Sequence, residues 1–105
     1  MLLVSTSDIP GMSISECLGI VKGEIVQSKH LGKDFMAGMK TIVGGEIKGY
    51  TEMISEARKI ATDRMIEEAE KLGADAIVGL RYGSSAIMQG AAEIIAYGTA
   101  VKIKK

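Results

Sequence analysis

One cysteine, one histidine and 13 acidic residues carry whatever metal or proton chemistry this 105-residue chain has to offer. Cys17 and His30 stand 13 positions apart (30 minus 17), whereas a structural zinc site takes four Cys or His ligands and a catalytic one three protein ligands. A single copy therefore cannot assemble a soft-ligand site. Several copies around an axis can gather their His30 imidazoles, or the carboxylates of Glu24 and Glu46, and this is the one route the sequence leaves to a bound divalent or soft metal ion. Met36 and Met39, two of seven methionines, carry thioethers suited to Cu(I). At helical spacing in a chain with few aromatics they read instead as core filling.

The remaining candidates weigh in the same way. Nucleophilic catalysis by Cys17 needs a neighbouring base and a lowered thiol pKa, and its neighbours Ile14, Leu18 and Ile20 point to a partly buried, inert thiol. Gly44-Gly45 ahead of a long helical stretch could present backbone N–H groups to an anion. No GxxxxGK[ST] or strand-preceded GxGxxG accompanies the pair, and Glu46 at its mouth repels phosphate, so a hinge between helices is the better reading. Glu24 sits inside an Ile/Val-rich run, where a carboxylate needs a partner or solvent. Lys22, Arg81 or a neighbouring subunit would supply the partner; the functional alternative is a polar group lining a channel or pocket between subunits. An enzyme built from one chain has no constellation here, and an enzymatic alternative needs a site assembled between subunits around His30, Glu24 and Asp34.

Composition narrows the class. With 13 Lys plus Arg against 13 Asp plus Glu the formal net charge is zero, and 47% of residues are hydrophobic. A nucleic-acid binder needs a surplus of basic residues on one face, and the only basic cluster is Lys102, Lys104 and Lys105. Ala86 to Val101, the most apolar stretch, contains Gln89, Glu93 and several glycines and falls short of the ~20 residues of a membrane span. Met1 to Val4 lacks the basic start of a secretory signal. The expectation is one cytoplasmic domain over residues 1–105, with a single cysteine that fits a reducing compartment.

The elements that must position these residues follow from periodicity. Leu2 to Thr6 predicts a short edge strand closed by Asp8, Pro10 and Gly11. Leu18 to Ser28 predicts a second strand, interrupted by Gly19 and Gly23 where a bulge or a close backbone approach is expected. Leu31, Phe35, Met36, Met39, Ile42 and Val43 follow helical steps, and Gly44-Gly45 stops them. From Ile47 to Leu72 a stripe of Ile54, Ala57, Ala61, Met65, Ala69 and Leu72 predicts a helix of 23 to 26 residues, with Gly73 as its left-handed cap. Ala76 to Tyr82 and Glu93 to Ile103 predict two more strands. On the last, Ile94, Ala96, Gly98 and Ala100 form a small-residue face suited to a close helix, and Ile95, Tyr97, Thr99, Val101 and Ile103 form a second apolar face. With no chain left to cover that second face, the expected cover is another copy of the protein.

The segments GIVKGEIV (Gly19 to Val26), IVGGEIKGYTEMISEARKIA (Ile42 to Ala61), KLGADAIVGL (Lys71 to Leu80) and YGTAV (Tyr97 to Val101) closely resemble the YbjQ family, small bacterial and archaeal proteins that carry a heavy-metal-binding label. The resemblance spans essentially the whole chain. The order of elements read from periodicity is ββααββ, and the resemblance implies an α+β fold, an antiparallel sheet of three to four strands with two helices, one of them long, on one face. It further implies a ring-like homo-oligomer, a pentamer. Family members often carry acidic residues on the strand after LGADAIVG; here Leu80-Arg81-Tyr82 places a cation there, so carboxylate ligands at that point are lost. The function expected is a non-enzymatic homo-oligomer that binds a heavy-metal ion or small ligand at subunit interfaces, with self as partner and neither nucleic acid nor membrane.

Overall fold

The computed structural model describes residues 1–28, 42–43, 46–88 and 90–104. The elements are β1 (Leu2–Leu3), β2 (Ile14–Ser28), β3 (Ile42–Val43), β4 (Glu46–Ile47), α1 (Lys48–Lys71), β5 (Ala76–Met88) and β6 (Ala91–Ile103). Four strands form one sheet in the order β1-β5-β6-β2, and β3 and β4 pair separately. β5 and β6 are antiparallel, as are β6 and β2, while β1 runs parallel to β5.

This corrects the expected ββααββ order and antiparallel sheet. Among the described residues there is one helix, and the sheet is mixed. The expected first helix over Leu31 to Val43 lies mostly outside the described residues; its last two, Ile42 and Val43, form a strand that pairs with Ile47 and Glu46. β-branched residues suit a strand as readily as a helix end, and the hinge expected at Gly44-Gly45 lies outside the described residues. β1 is parallel because everything from β2 through α1 separates it from β5, which supplies the long crossover that parallel strands require.

The long helix follows most of its expected stripe: Ala57, Ala61, Met65 and Ala69 are buried, whereas Ile54 is half-buried and Leu72, past the helix end, is exposed. Met53, Ala57, Ala61, Met65 and Ala69 recur every four residues and are all buried, and at 1.5 Å per residue the 24-residue helix runs about 36 Å. Gly73 ends it with φ of +77°. Its N–H donates to the Glu70 carbonyl at 3.0 Å while the Ala74 N–H reaches back to the Ala69 carbonyl at 3.1 Å, the paired bonds of a Schellman cap.

Alanine in the stripe lets α1 lie almost on the sheet. It packs over Val21 of β2, Ile77 of β5 and Ile94, Ala96 and Ala100 of β6, so the small-residue face of β6 is the one beneath the helix. The closest approach is at Gly23, where a Cβ would fall on the Ala61 carbonyl oxygen, 2.5 Å from the Met65 nitrogen and 2.9 Å from the Arg64 Cβ. Two of those three neighbours are helix backbone, which has no rotamer with which to give way.

The opposite face is partly covered by the chain's own start, which corrects the expectation that nothing in the chain reaches it. Val4 N–H donates to the Ile77 carbonyl, and Gly79 and Leu80 N–H groups donate to the carbonyls of Thr6 and Val4, at 2.8 to 3.0 Å. These bonds bring Ile9 over Ala76, Val78 and Val101 in a second small core, flanked by Val4 and Ile103.

Gly23→Ala is expected to destabilise the protein by about 2 to 3 kcal/mol, because an overpacked contact against backbone must displace the helix. Thermal unfolding followed by circular dichroism checks this, with Gly83→Ala as control: its Cβ would meet a single side-chain methyl, Ile95 Cγ2, at 3.1 Å and no backbone.

Candidate functional site

Among the places on the described surface where polar side chains come together, two bear on ligand binding. The first is Glu24, on the face of β2 turned away from α1. Its carboxylate lies 2.9 Å from Lys22 Nζ with both side chains substantially exposed, which is the ion pair expected as its structural reading. Residues two apart on a strand share a face, and that alternation brings these two together. The Glu24 carboxylate accepts a hydrogen bond from the Lys22 ammonium and attracts its charge, and the lysine pKa is raised above its ordinary 10.5 as a result. The main chain of Glu24 is also engaged: its carbonyl accepts a hydrogen bond from Arg64 Nη1 at 2.6 Å.

The second is a cleft of about 330 Å³ between the end of β2 and the first turns of α1, lined by Gln27, Ser28, Gly49, Glu52, Met53 and Glu56. Sequence reading singled out none of these. Glu52 and Glu56, one helical turn apart, look in sequence like ordinary solvated helix positions, and only the fold sets them opposite Ser28. Gln27 Oε1 is shut off from solvent and has no hydrogen-bond partner. An oxygen that water cannot touch is equally closed to a ligand entering the cleft, which leaves two exposed carboxylates and a hydroxyl. Those are hard oxygen donors, whereas heavy metals favour thiolate and imidazole.

The other sequence candidates scatter. His30 and Asp34 lie outside the described residues. Glu46 opens β4, its backbone paired with Val43, in a separate two-stranded sheet from that of Glu24. Cys17 is exposed, which corrects the expected partly buried thiol. The physical reason is the face: Cys17 pairs with Val101, which packs under Ile9 on the side of the sheet away from α1, while the next residue, Leu18, is the one that turns toward the helix-side core. Arg81 is a strap for the N-terminal segment rather than a partner of Glu24; its Nη1 donates to the Ser5 carbonyl at 2.9 Å and to the Leu80 carbonyl at 3.0 Å. Among the described residues no three His, Cys, Asp or Glu side chains converge to hold a metal ion. No helix there is long and apolar enough to cross a membrane.

A family model for YbjQ, described as "Putative heavy-metal-binding", matches residues 1–104. The chain belongs to the YbjQ family. Its relatives include UPF0145 proteins from Thermotoga petrophila, 64% identical over 100% of this chain and 99% of that one, and from Photobacterium profundum, 65% identical over 98% of this chain and 100% of that one. The UPF0145 protein of Clostridium novyi is 62% identical over 98% of this chain and 99% of its own. The fold is also similar to a crystal structure from Pediococcus pentosaceus, a protein with unknown function of the DUF74 family, with TM-score 0.64, 18% identity and coverage of 99% and 98% of the two chains. YbjQ membership brings a metal label whose donors the described residues of one protomer do not assemble. Cys17 lies opposite Val101 in the register, and Glu24 is committed to Lys22.

The Lys22 pair has a definite pH signature. A lysine whose folded pKa is raised gains its stabilising contact at every pH below its unfolded value and loses it as pH rises through the folded one. NMR titration of the Lys22 ammonium should therefore show a midpoint above 10.5 that returns to the ordinary value in Glu24→Gln. Any difference in thermal stability between the two proteins should vanish above that midpoint.

Proposed function

We propose that this protein is a non-enzymatic, cytoplasmic homo-oligomer that holds a heavy-metal ion or small ligand where its copies meet. The observation that carries the reading is the sheet face opposite α1. Beyond the reach of Ile9 it is bare, with Ile20 78%, Val26 58% and Tyr97 42% exposed. A monomer gains nothing by leaving such apolar groups in water at adjacent positions on one sheet.

Shape supports the same reading. The radius of gyration is 17.1 Å, against about 13 Å for a compact chain of 100 residues. Extents of 54 × 26 × 17 Å describe a slab one helix and one sheet thick, the form of a piece of a larger body. A second copy is the occupant that suits the face. The net charge is zero, so like copies do not repel, and each brings a cation and an anion side by side in Lys22 and Glu24, a pair that can meet its own counterpart. The subunit number we assign, five, rests on the family resemblance. Placing the ligand between copies follows from the donor inventory, since Cys17, His30, Glu24 and Glu46 are too few and too far apart in sequence to serve singly.

Native mass spectrometry of protein purified without chelator tests both halves. The expected result is a discrete pentamer that Ile20→Asp reduces to a folded monomer; a monomeric wild type overturns the assembly. Added Zn²⁺, Ni²⁺ or Cu²⁺ is expected to appear as retained mass on the pentamer and not on the Ile20→Asp monomer. A pentamer that retains none of them overturns the metal reading.

A further inference from the structure

We propose that Arg64 is an edge guard, a side chain that bars a further strand from adding along β2 and so confines contact between copies to the sheet face. Among the described residues β2 is the outer strand of the sheet and, at 15 residues, its longest. A long outer strand presents a row of unpaired N–H and C=O groups, the template on which a second copy polymerises.

The register says which groups those are. The Val101 carbonyl accepts from the Asp75 N–H at 2.9 Å, so the main chain of Val101 turns toward β5. Alternation along β6 then turns Ala100, Gly98, Ala96 and Ile94 toward β2, where their partners Gly19, Val21, Gly23 and Ile25 face inward. The residues between them, Ile20, Lys22, Glu24 and Val26, direct their N–H and C=O groups away from the sheet.

The first half of this edge is already spoiled for pairing by register shifts between Ile14 and Glu16 and between Cys17 and Gly19, since bulges disrupt a ladder. The second half, Val21 to Ser28, is regular and is the stretch on which a strand would dock. At its middle stands the Glu24 carbonyl, held at 2.6 Å by Arg64 Nη1. A docking strand must lie about 4.8 Å from β2, in the space the guanidinium fills, and would have to displace a charge-assisted hydrogen bond. Arg64 gains this reach from the contact that seats the helix: its own Cβ is among the atoms nearest the missing Cβ of Gly23, so its side chain starts at the strand and needs only to extend over the edge.

The test is Arg64→Ala, followed by light scattering, thioflavin fluorescence and native mass spectrometry at physiological temperature. Expected is slow conversion to thioflavin-positive polymer, with a several-fold rise in signal over wild type. Arg64→Lys, which retains a charged donor of similar reach, is expected to behave as wild type. The double variant Arg64→Ala/Ile20→Asp separates edge from face: it is expected to polymerise even though the face contact is removed, so the guard stands or falls independently of the proposed pentamer. Should Arg64→Ala fail to fold, Arg64→Ser, whose hydroxyl is too short to reach the Glu24 carbonyl, takes its place. A folded variant lacking that reach that stays as discrete as wild type overturns the proposal.

Discussion

The backbone-to-backbone approach of α1 to β2 at Gly23 is the contact on which the rest of the molecule depends. A side chain there would strike the Ala61 carbonyl and the Met65 amide, so the helix can lie flat against the sheet only because the strand offers no Cβ and the helix offers alanines. Flatness closes the core around Met65, Val21 and Ile77, all fully buried. It also sets the lateral position of the helix, over β2 and β6 rather than β5, and thereby brings Arg64 to the outer edge. Each of these consequences would be lost by moving the helix outward by one methyl group.

Because α1 occupies one side only, the opposite side of the sheet divides in two. Where the chain's first residues fold back, Ile9 completes a small core and Arg81 straps the segment down through the Ser5 carbonyl. Where they do not reach, Ile20, Val26 and Tyr97 are left in water around the Lys22–Glu24 pair. The cation at Arg81 thus has a structural duty in anchoring the N-terminal segment. The same geometry explains why the YbjQ family's metal label finds so little within one protomer. The hard oxygen donors lie at the cleft beside the start of α1, the thiol stands on the other face of the sheet, and the sheet keeps them apart.

Much of this was legible in the residues. The recurrence of Ala57, Ala61, Met65 and Ala69 declares a helix and most of its buried side, and Gly73 declares its end, while the structure sets Met53 rather than Leu72 in the buried row. The alternation of Ile94, Ala96, Gly98 and Ala100 with Ile95, Tyr97 and Thr99 identifies a strand, and the smaller face identifies where a helix will press. Glu24 was recognisable as a charge in need of a partner, and Lys22, two residues away, is the partner that strand geometry supplies. The Leu31 to Val43 stripe misled at its end, since Ile42 and Val43 suit a helix face and a hairpin arm equally and the pattern of three- and four-residue steps does not separate the two.

Sequence alone thus determined the long helix and the regular parts of β2, β5 and β6, because helix and strand periods are written in neighbouring residues. Only the tertiary structure decided which segments meet. The parallel seating of Leu2–Leu3 beside β5, the return of Ile9 over Val101, the pairing of Cys17 with Val101 on the face away from α1 and the capture of the Glu24 carbonyl by Arg64 all join residues far apart in the chain. Such contacts depend on where the helix crosses the sheet and on how far each element extends, and those are properties of packing in three dimensions that no local pattern encodes.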